Sequence, residues 1–261
     1  MDFKLIAIDL DGTLLNSDLK ISPRAAAAIQ AAERKGVKVT LCTGRMYVSA
    51  SRYAQELGLN IPLVTYNGAL VKNSLGHEVL YEKNLPLKEA RYVVEVCREF
   101  DCQLNVYFED KLYVEKGNSW AKRYANKVNV PLNEVDDLLD FLKMSPIKIL
   151  AMGEEEILHM LRKRLADREI YITRSHSYFL EMLNPEATKG KGLAAVAENL
   201  AIDRKNIMAI GDNENDIEMF KYVGYSVAMA NASDDIKSHA DYVTKNNNDD
   251  GVAEAIEKLV L

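Results

Sequence analysis

Two aspartates separated by one residue, Asp9 and Asp11, sit in the string Asp9-Leu10-Asp11-Gly12-Thr13, directly after the apolar run Leu5–Ile8. Carboxylates two positions apart past the end of a strand can point into one crevice. One can attack phosphorus and form an aspartyl phosphate. The other can protonate a leaving oxygen and later take a proton from water. Asp and Gly also gather in solvated turns, so an isolated Asp-x-Asp reads first as a turn. The complete string behind an apolar strand tips the balance towards chemistry.

Three further clusters share that character. Thr43-Gly44-Arg45 places a hydroxyl and exposed backbone N–H groups beside a glycine, a cradle for phosphate oxygens or a plain tight turn. Lys189 opens a helix in Asn184-Pro185-Glu186-Ala187-Thr188-Lys189-Gly190, the end of the helix dipole that prefers anions. A bound phosphate would remove that conflict, and a solvated lysine would also tolerate it. Gly211-Asp212-Asn213-Glu214-Asn215-Asp216 crowds acids after a strand, as a hard-cation site of oxygen ligands or an acidic helix start would. Charge links the four. A carboxylate attacks a phosphate dianion only if a cation offsets their repulsion, and magnesium at the acidic string plus Lys189 would supply that offset.

The elements that must position these residues follow from apolar spacing and stop signals. Strands are expected at 5–8, 37–42 and 63–65, with an Ala-rich helix from Ser22-Pro23 to Gly36 and another over 47–57. The last quarter repeats the pattern: helix 188–200, strand 207–210, a helix holding Ile217, Met219 and Phe220, short strands 225–229 and 242–244, and a closing helix 251–261. Alternation of this kind predicts a Rossmann-like α/β core, a parallel sheet with helices on both faces and its site past the strand ends. The middle differs. Helices at 87–100 and 154–165 mix with strands at 103–108, 111–115, 147–152, 170–173 and 178–183, the first two forming a hairpin around Glu109-Asp110. This predicts an inserted α+β unit over 84–186, between core segments 1–83 and 187–261.

Composition bounds the rest. The chain has 261 residues, 48% hydrophobic and 28% charged, with a net charge of −6. That balance disfavours nucleic acid as a partner, since phosphate-backbone affinity needs clustered cations, but leaves room for a small phosphorylated metabolite. Three cysteines without framework spacing fit a reduced, cytoplasmic setting. No run approaches the roughly 18 apolar residues that would span a bilayer, so no membrane is expected. His77, His159, His176 and His239 show no ligand spacing. Oligomeric state is not legible.

With all four clusters in view, the chain resembles the haloacid dehalogenase superfamily of phosphohydrolases, and within it the Cof-type, YidA-like sugar phosphatases of subclass IIB. The resemblance spans the chain, without departure at the motif positions. It implies Asp9 as nucleophile and Asp11 as general acid/base. It implies Mg2+ held by Asp9, Asp212 and the backbone carbonyl of Asp11, and phosphate contacts from Leu10, Thr43, Gly44, Lys189 and Asn215, with Asp216 in support. It also implies that the insertion is a cap that reads the leaving group. There Arg174, Ser175, His176 and Tyr178 are candidates for substrate specificity, and a polar loop between two strands is an equal reading. A phosphotransferase such as a phosphomutase would use the same core, and a regulatory relative could keep the fold without turnover. The intact set Asp9, Asp11, Lys189 and Asp212 argues against the latter.

Overall fold

Strand β1, Leu5–Ile8, is buried at all four positions, as an unalternating apolar run must be when both faces of its sheet are covered. The computed structural model describes residues 2–76 and 78–261, so His77 lies outside the described residues. After β1 come helix α1 (Pro23–Arg34), β2 (Lys38–Leu41), α2 (Tyr47–Leu57), β3 (Pro62–Thr65), β4 (Leu70–Asn73) and β5 (Val79–Glu82). Ser22 starts α1, its Oγ accepting from the Ala25 N–H at 3.0 Å, with Pro23 where a missing N–H costs nothing. Gly58, at φ 72°, ends α2 in a conformation that side chains disfavour.

The middle of the chain holds α3 (Leu87–Cys97), β6 (Gln103–Phe108), β7 (Lys111–Val114), α4 (Ser119–Val128), β8 (Leu132–Glu134), α5 (Leu138–Phe141), β9 (Lys148–Met152), α6 (Glu155–Arg164), β10 (Tyr171–Thr173) and β11 (Phe179–Leu183). The chain ends through α7 (Lys189–Asn199), β12 (Ile207–Gly211), α8 (Ile217–Tyr222), β13 (Tyr225–Ala228), α9 (Asp234–Lys237), β14 (Tyr242–Val243) and α10 (Gly251–Leu259). It divides into two compact units, one of residues up to Tyr81 with Thr188–Leu261, the other Glu82–Ala187.

The first unit is built on a sheet of order β14-β13-β12-β1-β2, parallel at every pairing. A parallel bridge between Cys42 and Val64 continues it to β3, which also pairs antiparallel with β4. From β1 the chain steps through α1 to β2 in one direction, and from β12 through α8 to β13 in the other. Right-handed crossovers taken in opposite directions put their helices on opposite faces. The direction reverses between β1 and β12, and that is where open α/β sheets leave a crevice beyond the strand ends. Asp9 follows β1 and Asp212 follows β12, so both acids stand at its mouth.

The second unit carries a six-stranded sheet, β10-β11-β9-β6-β7-β8, antiparallel except between β7 and β8. Val106, Ile149, Ala151, Leu180 and Met182 pack with α3 and α6 in its core. Glu109 and Asp110, at φ 47° and 56°, make the β6–β7 turn in left-handed conformations, the geometry that matches strand twist in a two-residue hairpin. The first helix of this unit stops at Cys97 rather than running to residue 100, and α4, β8 and α5 occupy residues 119–128, 132–134 and 138–141, where the sequence pattern predicts no element.

Candidate active site

The backbone N–H of Asp9 donates to the Ile210 carbonyl at 3.0 Å, so the register of β1 against β12 holds the first acid beside the second string. Oxygens of Asp9, Asp212 and Asp216 lie within 4.8 Å of one another. Lys189, fully buried at the first position of α7, sends its ammonium to Asp9 Oδ1 and Asp216 Oδ1, both at 2.6 Å. The cation that looked misplaced at a helix N-terminus is thus held by two carboxylates. Asp216 Oδ2 accepts from the backbone N–H groups of Asp212 (2.9 Å) and Asn213 (3.0 Å). Both its oxygens are therefore engaged, and Asp216 braces the turn that presents Asp212. Thr13 Oγ1 donates to Asp212 Oδ1 at 2.7 Å and sets that carboxylate's orientation.

Burial dominates the electrostatics. It pushes the Asp9 carboxyl well above its ordinary range, against the pull of Lys189. Asp212 is raised to about 7, first by burial and then by the Asp216 charge, with the Thr13 hydrogen bond opposing. Burial pulls Lys189 down, but Asp216 and Asp9 more than offset it, and the ammonium is held charged. With all three carboxylates ionised, one lysine would leave two negative charges uncompensated in a buried cluster. A divalent, oxygen-preferring cation would remove that excess, so the donor set fits magnesium in charge and ligand type. The side chain of Asp11 stands outside this cluster.

Asp11 instead meets Arg45 in a two-pronged pair, Nε to Oδ2 at 2.6 Å and Nη2 to Oδ1 at 2.7 Å. Arg45 is only 4% exposed and is steadied by Ser49 and by Tyr53, whose ring it overlies at 5.2 Å. Thr43 Oγ1 accepts from the Arg45 N–H at 3.1 Å, which winds the turn after β2. Gly44 sits so close to Asn67 that an added Cβ would lie 2.8 Å from its Oδ1. Asn67 itself is fully buried at φ 55°, and its Oδ1 accepts from Asn215 Nδ2 at 2.9 Å. Asn215 Oδ1 is buried and accepts no hydrogen bond. Leu10 is fully buried, and its carbonyl accepts from the N–H groups of Thr13 and Leu15. Thr13, Arg45 and Asn67 join this neighbourhood without having been assigned roles from sequence. The available signals were their places one turn past the ends of β1, β2 and β3.

The specificity candidates do not form one group. Arg174 pairs with Glu155 at 3.0 Å. Ser175 donates to Glu181, which is buried against Lys148. His176 and Tyr178 stack with ring centroids 5.4 Å apart. Cys42, Cys97 and Cys102 are free thiols; burial pushes Cys42 upward, as a packing residue would show, while the hydrogen bond with Cys97 lowers the partly buried Cys102. Among the described residues no histidine joins a metal-like group, and no helix is long and apolar enough to cross a membrane.

Comparison with known proteins adds an independent line. Residues 6–256 match the model of the haloacid dehalogenase-like hydrolase family. The 5-amino-6-(5-phospho-D-ribitylamino)uracil phosphatase YcsE of Bacillus subtilis is 36% identical over 264 residues, covering 100% of this chain and 97% of its own. A haloacid dehalogenase-like hydrolase from Bacteroides thetaiotaomicron superposes with a TM-score of 0.87 at 32% identity, over 98% of this chain and 99% of that one. The HAD subclass IIB sugar phosphatase BT4131 superposes with a TM-score of 0.88 at 25% identity, over 97% and 98%.

Proposed function

The chain belongs to the haloacid dehalogenase-like hydrolases, and on that premise we propose that this phosphatase is magnesium-dependent and works through an aspartyl phosphate on Asp9. The observation that carries the reading is the buried array of Asp9, Lys189, Asp216 and Asp212 at the switch point of a parallel sheet. Asp9 and Asp212, with the backbone carbonyl of Asp11, would hold the cation, and a bound cation would supply charge neutralisation for an anionic substrate. The Asp9 carboxylate attacks phosphorus, and the bond from phosphorus to the leaving oxygen breaks. Arg45 holds both Asp11 oxygens as acceptors, so Asp11 acts as the acid only after turning from that pair and taking up a proton from solvent, which it then gives to the leaving oxygen. Asp11 then takes a proton from the water that attacks the aspartyl phosphate, which releases phosphate and restores Asp9. Lys189 offsets charge throughout, while Asp216 keeps Lys189 and the Asp212 turn in place. Leu10, Thr43, Gly44 and Asn215 form the phosphate-binding surface, and the bidentate contact from Arg45 sets the starting orientation of Asp11.

Residues 1–83 and 187–261 act as the catalytic core and residues 84–186 as a cap that reads the leaving group. The substrates are small phosphate monoesters, with sugar phosphates foremost. The 36% identity to YcsE, a phosphatase of a ribityl phosphate joined to a pyrimidine, supports a second reading in which the leaving group is a sugar alcohol carrying a heterocycle. Both are tested by phosphate release from a panel of sugar and sugar-alcohol phosphates with magnesium, for the wild type and for Asp9→Asn. The expected result is release by the wild type only. Turnover by the folded variant, or none by the wild type on any ester, overturns the assignment, and isomerised sugar phosphate in place of free phosphate points to a phosphotransferase.

A further inference from the structure

One face of α4 bears Trp120, Arg123, Tyr124 and Lys127, spaced three and four residues apart so that they line up on one side of the helix. With Met152, His176, Tyr178 and Phe179 they border a cavity of about 170 Å³. Its walls are mostly aromatic. Trp120 and Tyr178 have ring centroids 5.7 Å apart, Tyr124 meets Phe179 edge-on at 5.6 Å, and Tyr178 is 42% exposed. Its charge is of one sign. The Arg123 guanidinium lies 4.7 Å over the Trp120 ring, and α4 carries Lys122, Arg123 and Lys127 without any acid. None of the described lining residues is acidic.

Exposed aromatic surface costs free energy in water unless something covers it, and the volume of this open pocket limits the guest to about one ring. Ring surface open to a guest, a guanidinium spread on one of the rings and a lysine at the same mouth select for both an aromatic body and negative charge. We propose that this cavity binds a small molecule made of a single aromatic ring carrying a carboxylate or phosphate. The cavity's lining belongs to the second unit, includes the specificity candidates His176 and Tyr178, and holds none of the residues assigned to phosphate chemistry.

Trp120 is the sole tryptophan of the chain, so its fluorescence reports on this cavity directly. The full-length protein is titrated with benzoate, with benzyl alcohol (ring without charge) and with cyclohexanecarboxylate (charge without a flat ring). The expected result is saturable quenching by benzoate, tighter than for either analogue by about fivefold, the size of one exposed stacking or cation contact. Arg123→Gln combined with Lys127→Gln, both at exposed positions, should bring benzoate down to benzyl alcohol, while Asp9→Asn should bind benzoate like the wild type. The proposal is overturned by an absence of saturable change or by equal response to the three probes. Undiminished benzoate binding in the double variant overturns it too, as does loss of binding in Asp9→Asn.

Discussion

Replacing Asp212 by Asn removes a negative charge while keeping the oxygen that accepts from Thr13. The Asp212 carboxyl is raised from 3.8 to about 7, chiefly by burial and the neighbouring Asp216. At about 1.4 kcal/mol per pH unit, ionising it in the folded, metal-free protein costs on the order of 4 kcal/mol. Asp212 keeps some contact with solvent, and screening brings the figure to about 2–4 kcal/mol. The sign follows from the direction of the shift. A carboxyl raised on folding contributes stability that is complete below its unfolded value near 4 and lost as pH rises through 7. In a chelator at alkaline pH the wild type therefore bears the whole penalty and Asp212→Asn bears none. The variant should then melt higher, by roughly 5–15 °C for a protein of this size. Its advantage should fall by about half or more on acidification to pH 5, where much of the wild type's penalty has been relieved by protonation. Saturating magnesium should raise the wild type by about 3 kcal/mol at a hundredfold excess over its dissociation constant, and leave the variant nearly unmoved. Thermal melts of both proteins, with chelator or magnesium at several pH values, check this. A variant less stable than the wild type in chelator at alkaline pH would refute the reasoning, as would a metal-free wild type whose stability does not change with pH.

Two other outcomes are expected. Lys148→Met removes the cation paired with the buried Glu181 carboxylate, leaving it the Ser175 hydroxyl, and should destabilise the protein by about 3 kcal/mol, while adding Glu181→Leu should restore most of that; denaturant unfolding of the three proteins tests it, and a single variant as stable as the wild type would sink it. Gly12→Ala places a Cβ 2.4 Å from Asp212 Oδ2 at a φ of 82°, so it should displace that carboxylate, lowering phosphatase activity about tenfold or more and weakening magnesium activation; steady-state kinetics at varied magnesium would expose an unaffected enzyme.

Much of the core was legible because its signals are local. An unbroken apolar run predicts a strand covered on both faces, and Ser22-Pro23 and Gly58 mark helix ends through capping and left-handed geometry. The same logic reached the Glu109-Asp110 hairpin. Helix α4 was equally available, since Ala121, Tyr124, Ala125 and Val128 are its buried stripe, but Gly117, Asn118 and a short, cation-rich segment masked the period. The specificity candidates are neighbours in sequence, but they lie in the connection between β10 and β11, where no strand or helix period fixes which way a side chain faces. Ser175 reaches a buried ion pair, while Arg174 reaches a surface one.

By itself the sequence determined which chemical groups the protein owns and that three of their four clusters, the Lys189 string excepted, follow strands of a parallel sheet. Strand, turn and helix are short-range consequences of residue type, and the Asp9, Asp212 and Lys189 strings announce themselves there. Only the tertiary structure decided what those groups do to one another. Lys189 reaches Asp9 across 180 positions of chain, Thr13 reaches Asp212 across 199, and Asp11 turns to Arg45. The physical reason is that ionisation depends on the surrounding charges and on the water excluded from around them. Both are properties of packed neighbours, which no spacing along the chain records.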